Sequence, residues 1–207
     1  MYDYSALMLR TFYRILFVVL LIGTLSVYRE ILAPPLLEVR VLDVGKGSAI
    51  LVKSPSGKTL LIDTGPDASI LRALGSALPM WQRRLDAVII TSPAKSAAGG
   101  LPEVTIRYRV HTLIRSATRD ERFDLGGGAY VDVLWPPPTD TPLNTANGSL
   151  ILRISYGTTS FLIQNTTPRI SAWLSTLDAH LPPPTVSVSS STPPGTYTSN
   201  GEAVVEN

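Results

Sequence analysis

The sequence predicts a layered α/β sandwich with mixed β-sheets, preceded by one N-terminal transmembrane helix. Three observations carry this. An apolar run fills most of the first thirty residues. Beyond it, short β-branched runs interleave with stretches of helical periodicity, the pattern of layered α/β folds. A length of 207 residues suits one domain plus an appendage.

The apolar run comes first. Residues 11–28 (TFYRILFVVLLIGTLSVY) carry a single charge, Arg14, near one end. Eighteen helical residues span roughly 27 Å, close to a hydrocarbon core of about 30 Å. Arg14 sits where a long side chain snorkels to the headgroups, and Tyr13 and Tyr28 sit where interfacial aromatics belong. Arg14, Phe17, Leu21 and Tyr28 are the candidate anchor residues. A cleaved signal peptide is disfavoured, because no small-x-small site follows before Pro34. Arg10 and Arg14 lie before and at the N-terminal end of the span, so the expected topology is single-pass, with a cytoplasmic N-terminus and the domain outside.

Residues 33–36 form a short linker containing Pro34 and Pro35. Strands are expected over 37–45 (LEVRVLDVG), 48–55 and 58–65, the last two joined as a hairpin by Pro55-Ser56-Gly57. Residues 68–78 show helical periodicity and stop at Pro79. Residues 85–90 read as a buried strand, 101–109 as a helix with Pro102 in its first turn, and 110–115 as another strand. The segment RDERFDLGGGAY is a charged strip with a glycine turn. A strand at YVDVLW then runs into a proline-rich loop. SLILRISYG and TSFLIQN form a hairpin, 168–180 a helix, and 182–192 an extended segment. The expected parts are thus an N-terminal tail (1–10), a transmembrane helix (11–32), the linker, a domain (37–191), and a polar tail (192–207) that is flexible or ordered by a partner.

Composition excludes several classes. There is no cysteine, which removes disulfides, zinc–thiolate sites, iron–sulfur clusters and thiol nucleophiles. Eighteen basic residues, fourteen of them Arg, face sixteen acidic ones, too balanced for a nucleic-acid signature by itself. Mean hydropathy is +0.20, high for a soluble chain, and the N-terminal run supplies much of the excess.

The loop at 91–100, TSPAKSAAGG, raises the functional question. It follows a buried strand and ends in a glycine pair, yet offers no His or carboxylate. Together with LDVGKGSAILVKSPSGKTLLIDTGPD (42–67) and NGSLILRISYGTTSFLIQN (147–165), the block LDAVIITSPAKSAAGGLPEV (85–104) resembles metallo-β-lactamase-fold hydrolases. Within that family the blocks are most similar to the C-terminal domain of the late-competence DNA-uptake channel protein. There a strand ends in a T/S-H-x-D-x-D-H-x-G-G metal loop, and a later hairpin ends at a Gly-Asp ligand. The resemblance runs over about residues 37–191. It implies a truncated metallo-β-lactamase-like sandwich in a bacterial cell membrane.

Such enzymes hold metal with His and carboxylate ligands. On this sequence the ligand positions are Ser92, Ala94, Ser96 and Ala97, with the later one near Thr166 and the terminal His loop near Ser189–Ser191. The turn residues Asp43, Gly45, Gly47, Asp63, Gly65, Gly99 and Gly100 remain, while the second Asp of the first turn has become Ser48. His111 and His180 lie apart and read as structural and helix-capping residues. The resemblance therefore implies no cofactor, no small-molecule substrate and no catalytic residue.

The expected function is that of a pseudoenzyme: a structural or accessory subunit whose partners are the bilayer and other subunits of a membrane complex, with an energy-transducing complex among the candidate hosts. A nucleic-acid-binding module is the second reading. It would use Arg83, Arg84, Arg107, Arg109, Arg115, Arg119 and Arg122, diluted by Asp120, Glu121 and Asp124. A hydrolase using Ser92, Ser96 or Lys95 is the third.

Overall fold

The computed structural model describes residues 4–32, 36–135, 149–164, 183–189 and 192–206; in the first helix, side chains are described over 10–25. Two compact units result, residues 1–34 and 35–207.

The first unit is helix α1 (Tyr4–Leu32). The expected tail over 1–10 is therefore corrected: the helix starts at Tyr4, because Ala6, Leu7, Met8 and Leu9 are strong helix formers that extend it. Arg14, Phe17 and Leu21 lie on this helix with exposed side chains. Tyr28 is on it too, but its side chain is outside the described ones. Among the described residues no helix is long and apolar enough to cross a membrane.

The second unit is built on two sheets. Strands β1 (Leu37–Val41), β2 (Ile50–Lys53) and β3 (Thr59–Ile62) form an antiparallel meander. Helix α2 (Ser69–Ala77) follows and stops at Leu78, whose extended backbone suits the residue before Pro79. Strand β4 (Arg84–Ile89) pairs parallel with β3. The loop then carries a one-turn helix, α3 (Lys95–Ala98), and α4 (Leu101–Arg107). Helix α4 has Pro102 and Glu103 in its first turn and Arg107 in its last, each favoured there. Strand β5 (Arg109–Ile114) pairs parallel with β4.

Next come β6 (Arg122–Gly126), β7 (Ala129–Trp135), β8 (Ile151–Tyr156), β9 (Thr159–Gln164) and β10 (Val186–Ser189). They form a five-stranded sheet in the order β10-β9-β8-β7-β6, parallel only between β9 and β10. The glycine turn after residue 125 joins β6 to β7, and the charged strip before it is a strand. The helix expected over 168–180, with His180, lies outside the described residues.

The seven-stranded sheet is completed by β11 (Gly195–Ser199) and β12 (Val204–Glu206), in the order β12-β11-β1-β2-β3-β4-β5. This corrects the expected flexible or partner-bound tail over 192–207. Strand β11 is antiparallel to β1 from Leu37↔Ser199 to Val41↔Gly195. Tyr197 is buried and meets the Phe161 ring edge-on at 6.4 Å.

Alternation along β3 sorts the core. Leu60 and Ile62 face the five-stranded sheet, in a cluster with Val131, Leu152, Ile154 and Phe161. Leu61 faces the other way, packing with Ile70 and Leu74 of α2 and Leu101 and Val104 of α4. The centre of the seven-stranded sheet is thus buried on both faces, as the apolar run Leu60–Ile62 requires, while its edge strand β5 is largely exposed.

Candidate functional site

Three connections meet at the C-terminal ends of β3 and β4: residues 42–49, 63–68 and 90–100. Backbone hydrogen bonds lace them together. Ser48 N–H donates to the Ser96 carbonyl (3.0 Å), Thr64 N–H to the Ala97 carbonyl (2.6 Å), and Gly100 N–H to the Gly65 carbonyl (3.0 Å). Gly65 N–H returns to the Ser48 carbonyl (2.9 Å). The Thr64 hydroxyl adds a second bond to the Ala97 carbonyl (3.0 Å).

The glycine pair makes this closeness possible. A Cβ on Gly99 would land on the Pro66 carbonyl oxygen and 2.6 Å from the Lys95 carbonyl. A Cβ on Gly100 would land on the Thr64 carbonyl. Gly47 likewise lies under the Ser96 carbonyl, 2.6 Å from where a Cβ would stand. Asp43 is exposed and accepts from Gly45 N–H (3.2 Å), closing the first turn.

Asp63 is the buried carboxylate of the cluster. It has no exposed surface and sits in the left-handed region at φ 59°, a conformation Asp tolerates better than most residues. Its two oxygens accept from Thr91 N–H and the Thr91 hydroxyl, both at 2.7 Å. Burial pushes its pKa up to about 7, against the opposing pull of the two Thr91 bonds. Thr91 also accepts from Leu150 N–H at 2.7 Å. The start of the loop is thereby tied to both sheets.

The four positions that the resemblance aligns with metal ligands follow directly. Ser92 is buried, and its hydroxyl accepts from Ala94 N–H (3.3 Å). Ala94 is exposed, Ser96 half-buried and Ala97 fully buried. These residues supply two hydroxyls and two methyls, and neither type holds a catalytic zinc, which takes His, Cys or carboxylate donors. Among the described residues, no group of three or more His, Cys, Asp or Glu could hold a metal ion. Among the described residues, the donor set does not fit the metal that the fold's hydrolases use. Thr166, Ser190 and Ser191 lie outside the described residues; Ser189 ends β10 and donates its N–H to the Thr192 hydroxyl (2.8 Å).

A cleft of about 510 Å³ opens beside the loop, against Pro93, Ala98, Leu101 and Arg115, and none of Ser92, Ala94, Ser96 and Ala97 lines it. Lys95 is exposed, so the Ser–Lys reading has no desolvated amine to activate a hydroxyl. His111 is exposed on β5, at a second cleft of about 480 Å³ that also reaches Arg84, Asp86 and Arg122. Sequence reasoning missed Thr91, Thr64 and Leu150. The one available signal was Asp63 itself: a carboxylate following the apolar run Leu60–Ile62 needs donors from a neighbouring loop.

No protein-family model and no curated protein matches the chain. Solved structures do. A subclass B3 metallo-β-lactamase from a soil metagenome library, MEM-A1, superposes with a TM-score of 0.54 at 14% identity, over 74% of this chain and 76% of that one. The Rm3 metallo-β-lactamase gives 0.50 at 16% identity, over 74% and 77%. A HARLDQ-motif mutant of a metallo-β-lactamase from Cronobacter sakazakii gives 0.45 at 15% identity, over 62% of this chain; the match spans 61% of that enzyme. The class defined by the fold is the metallo-β-lactamase-like sandwich, with mixed sheets as described. At such identities the likeness extends to the fold alone.

Proposed function

We propose that this chain is a catalytically inactive, membrane-anchored pseudoenzyme, derived from a competence-type domain, that serves as an accessory subunit of a larger membrane complex. One observation carries the reading. The loop at 91–100 keeps its glycine pair, its Asp63 tie and its backbone lacing, while Ser92, Ala94, Ser96 and Ala97 occupy the ligand positions. Neutral residues there also remove the carboxylate repulsion that a ligand-bearing loop suffers without its ion. In this reading the apolar run over 11–28 is the anchor, through Phe17, Leu21 and their neighbours, with the N-terminus in the cytoplasm and the domain outside; the side chains of α1 are described over 10–25 alone, fewer residues than a span needs. The nucleic-acid alternative is weakened by pairing on its expected basic face: Arg84 with Asp86 at 3.3 Å, Arg119 with Asp120 at 3.6 Å, and Arg122 with Asp132 at 2.5 Å.

Two measurements test the proposal. Elemental analysis of the chain purified in excess zinc should find no stoichiometric metal; one equivalent or more overturns the pseudoenzyme reading. Affinity purification from solubilised membranes should recover a defined set of other membrane subunits, weakened when the chain is deleted. Recovery of the chain alone overturns the subunit role.

A further inference from the structure

We infer that the globular unit carries its own docking surface for an anionic lipid bilayer, separate from helix α1 and independent of the proposed subunit role. Met80, Trp81 and Ile106 are the three most exposed large apolar side chains among the described residues, at 83%, 85% and 86%. Water-exposed Trp, Met and Ile in one region mark an interaction surface. Gln82 N–H donates to the Pro79 carbonyl (2.9 Å), a turn that puts Met80 and Trp81 at its tip. Arg83 and Arg107 border two adjoining clefts, of about 480 and 570 Å³, with Met80 on the rim of the first and Ile106 on the rim of the second. The tip and the end of α4 therefore form one patch.

Charge selects the occupant. Arg83, Arg107 and Arg109 are exposed and form no ion pair among the described residues. Arg83 lies over the Tyr108 ring, 5.9 Å from its centroid, which stiffens it without neutralising it. Apolar tips among unpaired arginines fit the headgroup level of a membrane: Trp settles at the interface and guanidinium groups hold phosphates. A second copy would bring the same arginines face to face. Nucleic acid would use the arginines but give Met80 and Ile106 no apolar medium.

The test follows Trp81 emission from the full chain added to phosphatidylcholine vesicles, with and without phosphatidylglycerol, carrying brominated acyl chains. Subtracting a Trp81→Phe variant removes the signal of the other two tryptophans. The difference stays specific to the patch even if α1 inserts into every vesicle. Trp81 should be quenched on the phosphatidylglycerol vesicles, about tenfold less strongly in Arg107→Glu, with Arg107→Gln as the milder variant, and less in high salt. An unquenched Trp81 overturns the inference, as does equal quenching on both vesicle types. So does Trp81 burial that grows with protein concentration without lipid, or a DNA duplex that shifts Trp81 where the vesicles do not.

Discussion

Replacing Asp63 with Asn should make the stability difference between variant and wild type depend on pH. The carboxyl is fully buried, and its pKa rises from 3.8 to about 7 in the folded chain. The folded state therefore holds a proton that the unfolded state has released, and wild-type stability falls as pH rises between those values. Three units at about 1.4 kcal/mol each amount to roughly 4 kcal/mol across the whole window. The fall is complete only above the folded pKa, where an ionised Asp63 has only the two Thr91 donors to replace water. Asn does not titrate, and it tolerates the φ of 59° as Asp does. Its own hydrogen-bond deficit is the same at every pH and cancels from the trend. The advantage of Asn over Asp should thus grow by about 3 kcal/mol from about pH 5 to about pH 8.5. Urea unfolding of both chains in detergent, followed by tryptophan emission, measures it. A difference constant to within about 1 kcal/mol over that range would show that Asp63 stays ionised, and would refute the claim that burial outweighs the Thr91 bonds.

Two further substitutions probe the scaffold. Gly99→Ala places a methyl against the Pro66 and Lys95 carbonyls, backbone groups beside the laced residues Gly65 and Ser96, and should cost about 3 kcal/mol in thermal or urea unfolding; a cost below about 1 kcal/mol would mean the loop is not locked. Tyr197→Ala removes a ring packed on Phe161 and should cost about 3 kcal/mol, with protease cleavage of residues 192–206 rising in parallel; an unchanged midpoint would mean that β11 adds little to the sheet.

Much of the second unit could be read along the chain where local pattern and burial agree. LEVRV alternates because β1 does, with Leu37, Val39 and Val41 inward. Pro79 ends α2 by the sterics that made it a stop signal. Strand β6 was less legible: Arg122 and Asp124 dominate its composition, although Leu125 is buried and Phe123 packs on the core between them. Strand β11 was not legible, because GTYTS is polar and gains its apolar surroundings from β1 and Phe161, far away in sequence. At the site, the glycines and Asp63 stood out as residue types. The lacing among three connections did not, since backbone hydrogen bonds leave no mark on side-chain identity. The arginines were legible as a group, but their division into paired and unpaired members depends on which acids the fold brings near.

The pairing of β1 with β11 has a consequence during synthesis. Leu37 leaves the ribosome well before its partner Ser199, which is made some 160 residues later, roughly 10–30 s at about 5–20 residues per second. Until then one edge of β1 is open, with apolar Leu37, Val39 and Val41 beside it. Open apolar edges of this kind template wrong pairings, and closing so long a loop is slow. The nascent chain should therefore depend on a chaperone over that interval, and a stop codon placed before β11 should yield aggregate in place of a shortened soluble domain.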